Sequence, residues 1–430
     1  MQRLRAVFGE EHRPFWLIVL NGVLWRLSAE VFDGRRIVAA FLTQLLGKEW
    51  VVGVALAIQP GVTSFPQLYE SYVVSDGRER MPYYRVGAWI RRGAMALMIL
   101  AVVVLAHHPV WLGAVFIPLL GLLGLGEGLG SVAFSDIVTR TVPAHRRGRM
   151  FGLRMAVGGL LAFGLGLTVR HILSPSFVVP YPYNYTILFA VCLVFLVLSQ
   201  NCFMRIEEPP IRRRERPAPD FVSFLRRAAA LIHGDRNALN YLIYRSVTPA
   251  MTMPAAFLVP FAMRQLKFDA GVVGLFVSSA VIASSVSNVW WAWISDRRGN
   301  RMLLRLGVAT ILAALGMLAL TPALAEVWGP AARGQLLLWV VVVNALTEVG
   351  LTGLVIGQIN YNYEIAPPGE VPLYTGLIST STAPALIVLP PLFGLAAEHY
   401  GYPTIFAAGL LAGIVALLLS LRLHEPRHRD

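Results

Sequence analysis

The sequence predicts an all-α polytopic membrane protein of twelve transmembrane helices in two six-helix bundles. Composition comes first: of 430 residues, 56% are hydrophobic and 14% charged, with a mean hydropathy of +0.61, against about 25% charged residues in a soluble domain. No compact soluble fold of this size hides so much apolar surface, which excludes a disordered chain, a disulfide scaffold and an ordinary cytosolic enzyme. The second observation is a series of twelve apolar runs of membrane-crossing length, roughly 20 residues each. The third is that the second six repeat the first.

In the first half the spans fall at 15–46, 50–74, 86–105, 110–138, 150–172 and 185–204. In the second half they fall at 239–263, 271–294, 302–324, 334–359, 374–397 and 404–423. The charges at Arg3, Arg5, Glu10, Glu11 and Arg13 precede the first run without a small-residue cleavage site, so it reads as a retained span. Cys192 and Cys202 lie in one apolar stretch and read as packed small residues without a redox role.

The net charge of +13 could suggest nucleic acid, but its placement decides otherwise. Of the 37 Lys and Arg, only Lys48, Arg170, Arg264, Lys267 and Arg333 fall on the side opposite the termini; Arg26, Arg35, Arg36 and Arg245 are counted inside spans. The rest lie at the ends or loops that an even span number puts on the side of both termini. That asymmetry marks a cytoplasmic face. The expectation is a multi-pass protein of a bacterial inner (plasma) membrane with both termini cytoplasmic, a monomer whose partners are the lipid bilayer and a small-molecule substrate, not nucleic acid.

An offset of 219–224 residues superposes the halves. Asn21, Trp25 and Arg26 align with Asn240, Tyr244 and Arg245, and Gly53 with Gly274. Ser75, Asp76, Arg78, Arg85 and Gly87 align without a gap on Ser295, Asp296, Arg298, Arg305 and Gly307. Several matches in order argue for duplication, and parallel repeats place a binding site near the midplane between them. The domains expected are a bundle over 1–206, a cytoplasmic linker over 207–238 and a bundle over 239–430. Within the linker Phe221, Phe224, Leu225, Ala228, Leu231 and Ile232 recur at helical spacing, predicting an amphipathic helix in the headgroup layer.

Two six-span repeats with a basic central loop resemble the major facilitator superfamily (MFS). The loop after span eight carries the resemblance. Asp296, Arg297, Gly299 and Arg301 match the family's G-x-L-x-D-R-x-G-R-R motif, with Ala292, Ile294 and Asn300 as departures. The first-half copy keeps Asp76 and Arg80 in register, but Gly77 and Glu79 replace the arginine and glycine. The turn of Pro143, Arg146, Arg147, Arg149 and Gly152 resembles the family's basic turn before span five, while span five lacks the G-P element of the drug-antiporter branch. Acids and arginines in a short turn can pair in one conformation and release in another, so Asp76, Arg80, Asp296, Arg297 and Arg301 form the expected cytoplasmic gate.

The chemistry is expected from charges at membrane depth, each costing about 2.5–3.5 kcal/mol if it faced lipid. On an unbroken helix Arg26, Glu30 and Asp33 share a face, Arg36 flanks it and Arg35 points away. Span four places Glu127 in a glycine bed, and span ten carries Asn344, Thr347 and Glu348. Glu30, Asp33, Glu127 and Glu348 are the proton-coupling candidates; Glu30 also fits a structural bridge to Arg26, Glu127 a helix-to-helix hydrogen bond, and sodium is a second coupling ion. Arg26 and Arg245 occupy equivalent positions and could clamp an anion, as a pair of arginines on these spans does in the family's organic-phosphate exchangers. With Tyr244 and Asn344 they are the substrate-binding candidates.

There is no G-x-x-x-x-G-K-[ST], H-E-x-x-H or G-x-S-x-G, so no enzyme activity is expected. No cofactor or metal is expected either; His107 and His108 beside Pro109 read as a loop. The function expected is secondary active transport of a small organic solute by alternating access, coupled to protons. The alternatives are an uncoupled facilitator or drug efflux pump and, from another class, a non-transporting receptor or scaffold.

Overall fold

The computed structural model describes residues 13–74, 79–208, 234–367 and 371–425. Asp76 and the expected helix over 221–232 lie outside them. Within a hydrocarbon layer every backbone group must be satisfied inside its own segment, which leaves helices as the solution for apolar runs of this length. The described residues are accordingly helical, without a strand.

The first half comprises α1 (Arg13–Val31), a π-helical turn over Gly34–Val38, α2 (Ala39–Leu46), α3 (Glu49–Val74), α4 (Met81–Leu105), α5 (Pro109–Thr141), α6 (Ala144–Ile172) and α7 (Tyr183–Met204). The second comprises α8 (Arg236–Thr252), a 3-10 turn over Pro254–Phe257, α9 (Leu258–Arg264), α10 (Val272–Arg298), α11 (Asn300–Trp328), α12 (Arg333–Ile365), α13 (Val371–Tyr400) and α14 (Tyr402–Leu421). Span one is thus α1 with α2, and span seven α8 with α9. Both break midway, at Asp33 and Met253, which are 220 residues apart. The sequence offset between the halves therefore recurs as a structural one.

Among the described residues, eleven helical segments are long and apolar enough to cross a membrane. The twelfth, α3, is 26 residues long and turns Gln59 and Thr63 toward partners in the bundle. Thr63 donates to the Gly124 carbonyl at 3.1 Å and Gln59 to Glu127 at 3.2 Å. Its burial explains its polarity.

Helices pack mainly within their own half, and the largest contacts between the halves are α3 with α13 and α6 with α10. Glycines set how closely. A Cβ on Gly53 would lie 2.2 Å from the Pro390 carbonyl oxygen, and one on Gly274 would lie 2.2 Å from the Arg170 nitrogen. These contacts cluster at the end of the bundle opposite Glu208 and Glu425. Toward the end that carries those two residues, Phe151 and Met155 on α6 and Val289, Trp290 and Trp293 on α10 are exposed. The halves close at the far end, and toward the terminal end these faces of α6 and α10 are uncovered.

Candidate functional site

The break in span one organises the buried charges. Asp33 is extended (φ −66°, ψ 122°), and five residues then wind as a π-turn. A π-turn carries more residues per turn than an α-helix, so positions before and after it do not share one helical wheel. This corrects the expectation for Arg35. Arg35 turns toward the same acceptor as Arg36: both donate to Glu348 of α12, at 3.1 and 2.5 Å. Arg36 also meets Asp33 at 3.3 Å. One carboxylate from the second half therefore holds two arginines from the first.

One turn earlier, Arg26 pairs with Glu30 at 2.9 Å and donates to Ser284 of α10 at 3.2 Å. Glu30 is 9% exposed and Arg36 5%. Ion pairing spares each of them the cost of lying alone at depth. Gly158 of α6, whose Cβ would sit 3.3 Å from the Arg26 stem, leaves room for that side chain.

The remaining candidates go to different places. Arg245 donates to Gln358 of α12, and Tyr244 is fully buried beside Tyr241, ring centroids 6.2 Å apart. Arg26 and Arg245 share no partner among the described residues. Asn344 donates to the Phe276 carbonyl and the Ser279 hydroxyl at 2.8 and 2.9 Å, tying α12 to α10. Thr347 turns back on the Val343 carbonyl. Glu127 lines a cavity inside the first bundle.

At the terminal end, the loop after span eight engages its own half. The Arg301 backbone N–H donates to Glu425 at 3.1 Å and its guanidinium to the Leu423 carbonyl, while Arg297 lies over the Trp293 ring. Gly299 has φ +81°, and the Glu425 carboxylate lies within 3 Å of where its Cβ would be, so glycine serves both the turn and the approach. The first half repeats the scheme. Glu208 accepts from the backbone of Arg80 and Met81 at the start of α4 and pairs with Arg140 at 2.6 Å. Burial raises the Glu208 pKa, but Arg140 and the two backbone donors outweigh it and hold the carboxyl below its ordinary range. Asp136 pairs with Arg140 at 2.6 Å and with Arg80 at 3.6 Å.

Sequence reasoning missed the opposite end. Glu49, at the start of α3 and 2% exposed, receives Arg264 of α9 at 2.6 Å and the Tyr402 hydroxyl of α14 at 2.5 Å. This contact joins the halves where they close. Glu49→Gln should loosen it: a cysteine placed at Ser278, in a background without Cys192 and Cys202, should react several-fold faster with an impermeant maleimide. Equal rates in the two backgrounds would reduce Glu49 to a packing residue.

The sequence profile of the Major Facilitator Superfamily matches residues 87–329 and 237–430. No curated protein matches the chain significantly. Among solved structures, a bacterial homologue of the iron transporter ferroportin in its inward-facing state superposes with a TM-score of 0.70 at 14% identity, covering 96% of this chain and 98% of that one. A D-xylose–proton symporter gives 0.66 at 16% identity, covering 96% and 98%. A nucleoside transporter gives 0.71 at 9% identity, covering 95% and 99%. By fold and by sequence profile, the chain belongs to the major facilitator superfamily.

Proposed function

We propose that the protein is a secondary active transporter that moves a small organic solute by rocking its two halves, coupled to protons. The observation that carries this reading is the contact of Arg35 and Arg36 with Glu348, a buried ion pair made across the boundary between the halves. When the halves rock, that pair must break. A carboxylate released from two arginines loses the interaction that favours its charged form, so separation of the halves and uptake of a proton are one event. The Arg26–Glu30 pair, tied to α10 through Ser284, gives span one a second carboxylate in the same setting. Tight packing of the halves at the far end supports a state open at the terminal end, and the distribution of basic residues supports placing that end in the cytoplasm.

The test is solute accumulation by proteoliposomes under an imposed pH gradient. Glu30→Gln keeps the shape of the side chain and fixes it neutral, and Asp33→Asn is its comparison. If span one carries the proton, one of the two should lose accumulation against a gradient while keeping exchange of solute at equal concentrations. Full gradient-driven accumulation in both would remove span one from the coupling path, and in Glu127→Gln and Glu348→Gln as well would remove proton coupling through these residues.

A further inference from the structure

A cavity of about 270 Å³ lies within the first bundle, apart from the boundary between the halves, with Trp25, Tyr84, Arg91, Glu127 and Arg154 in its wall. A hollow of about 170 Å³ shares Trp25, Arg91 and Glu127 and continues it toward Asp33. Its charges are unbalanced. Arg91 and Arg154 make no hydrogen bond or ion pair among the described residues, and Arg91 Nε and Arg154 Nη1 are buried without a partner. The Arg154 guanidinium rests on aromatic faces instead, 5.0 Å from the Phe134 ring and 5.3 Å from that of Phe151. Glu127 is the acid in the wall, and it is already engaged by Gln59. Two cations thus stand against one carboxylate in the larger cavity, and Asp33 at the end of the hollow is held by Arg36.

A half-buried cation without an anionic partner is costly, and the wall is arranged to keep these two. Gly22 leaves the seat for Arg154: a Cβ there would fall 1.7 Å from Arg154 Nε. Gly126 does the same for Arg91, whose Cγ would be 2.7 Å from an added Cβ. Gln200, also in the wall, has its carbonyl occupied by Arg92 at 2.7 Å, so what it has left to offer is an N–H donor. The rest of the surface is aromatic or small. Donors, an excess positive charge of one and aromatic faces fit a single class of ligand.

We propose that the first bundle binds a small aromatic monocarboxylate, its carboxylate held by Arg91 and Arg154 and its ring against Trp25, Tyr84 and Phe134. One negative charge balances the wall. Ligand pockets start at about 300 Å³, so the cavity suits an acid of one ring or two fused rings. Guanidinium groups bind carboxylates through paired, charge-assisted hydrogen bonds, which a neutral amide of the same shape cannot reproduce. This site goes beyond the transport reading: binding needs no gradient, so it can fail while coupling through span one stands, and the reverse.

The test uses the purified full chain and follows thermal unfolding with millimolar benzoate, phenylacetate and indole-3-acetate, each beside its primary amide. At least one acid should raise the midpoint by several degrees where its amide does not. Arg91→Gln or Arg154→Gln should remove that shift, and Arg333→Gln, on the Phe268 ring outside the cavity, should retain it. Gly22→Ala keeps both charges but displaces Arg154, and should weaken the same acid by about tenfold in a calorimetric titration. If no acid stabilises the wild-type chain more than its amide, the proposal is overturned, whether or not the variants fold. It is equally overturned if the shift survives in both arginine variants.

Discussion

Glu348→Gln should shift the balance between the two states of the transporter by about 100-fold toward the one open at the far end, and gradient-driven accumulation should vanish with it. Removing one partner of a buried ion pair costs about 3–5 kcal/mol, because the other charge is left behind. The low end applies, since Arg36 keeps Asp33 at 3.3 Å and Arg35 is partly exposed. About 3 kcal/mol is roughly 100-fold in an equilibrium. That cost falls on the state described here, where Glu348 meets Arg36 at 2.5 Å, and not on a state in which the halves have separated at this level. Distances between spin labels on the terminal ends of α6 and α10 report the shift. Arg36→Gln added to Glu348→Gln should recover most of it by removing the orphaned charge, whereas Arg35→Gln alone should do little. State populations unchanged by Glu348→Gln would make the pair incidental to rocking.

Much of this was legible in the sequence, and the failures have physical causes. Twelve spans, the duplication and the pairing of Arg26 with Glu30 follow from apolar length and helical spacing, which are local properties. The direction of Arg35 was not legible, because a wheel of 100° per residue assumes an unbroken helix and Gly34–Val38 winds as a π-turn. Gly34 inside an apolar span was the available signal, as Pro254 was in the second half. Arg91 and Arg154 were counted with the charge at the terminal end, when in fact they turn inward to the cavity. Their distance from the ends of α4 and α6 was the clue. The contact of Glu49 with Arg264 and Tyr402 joins residues 215 and 353 positions apart, and no periodicity within a helix encodes it. Asn344 was legible as a polar residue at depth, but polarity alone does not separate a ligand contact from the hydrogen bonds it makes to Phe276 and Ser279.

Gly274→Leu should hold the protein away from the state described here and cut transport to roughly a tenth or less. The Cβ that any side chain brings to position 274 would lie 2.2 Å from the Arg170 nitrogen and 2.5 Å from its Cα, both backbone atoms of α6. Close-packed interiors do not yield by so much. A flexible side chain can swing aside, but helix backbone cannot, so relief requires α6 and α10 to part where they now close the far end. Overpacking a tight contact costs about 1–3 kcal/mol, roughly 5- to 150-fold against this state. Gly53→Leu should act alike on the other seam, where its Cβ would meet the Pro390 carbonyl oxygen at 2.2 Å. Gly164, on the same helix as Arg170, supplies the control: nothing lies within 4 Å of a Cβ there, and Gly164→Leu should transport normally. Both far-end variants should stay folded, since the opposite state remains open to them, and labels at the far end should move apart. Wild-type transport by Gly274→Leu would mean that the close approach of α6 and α10 is not part of the working cycle.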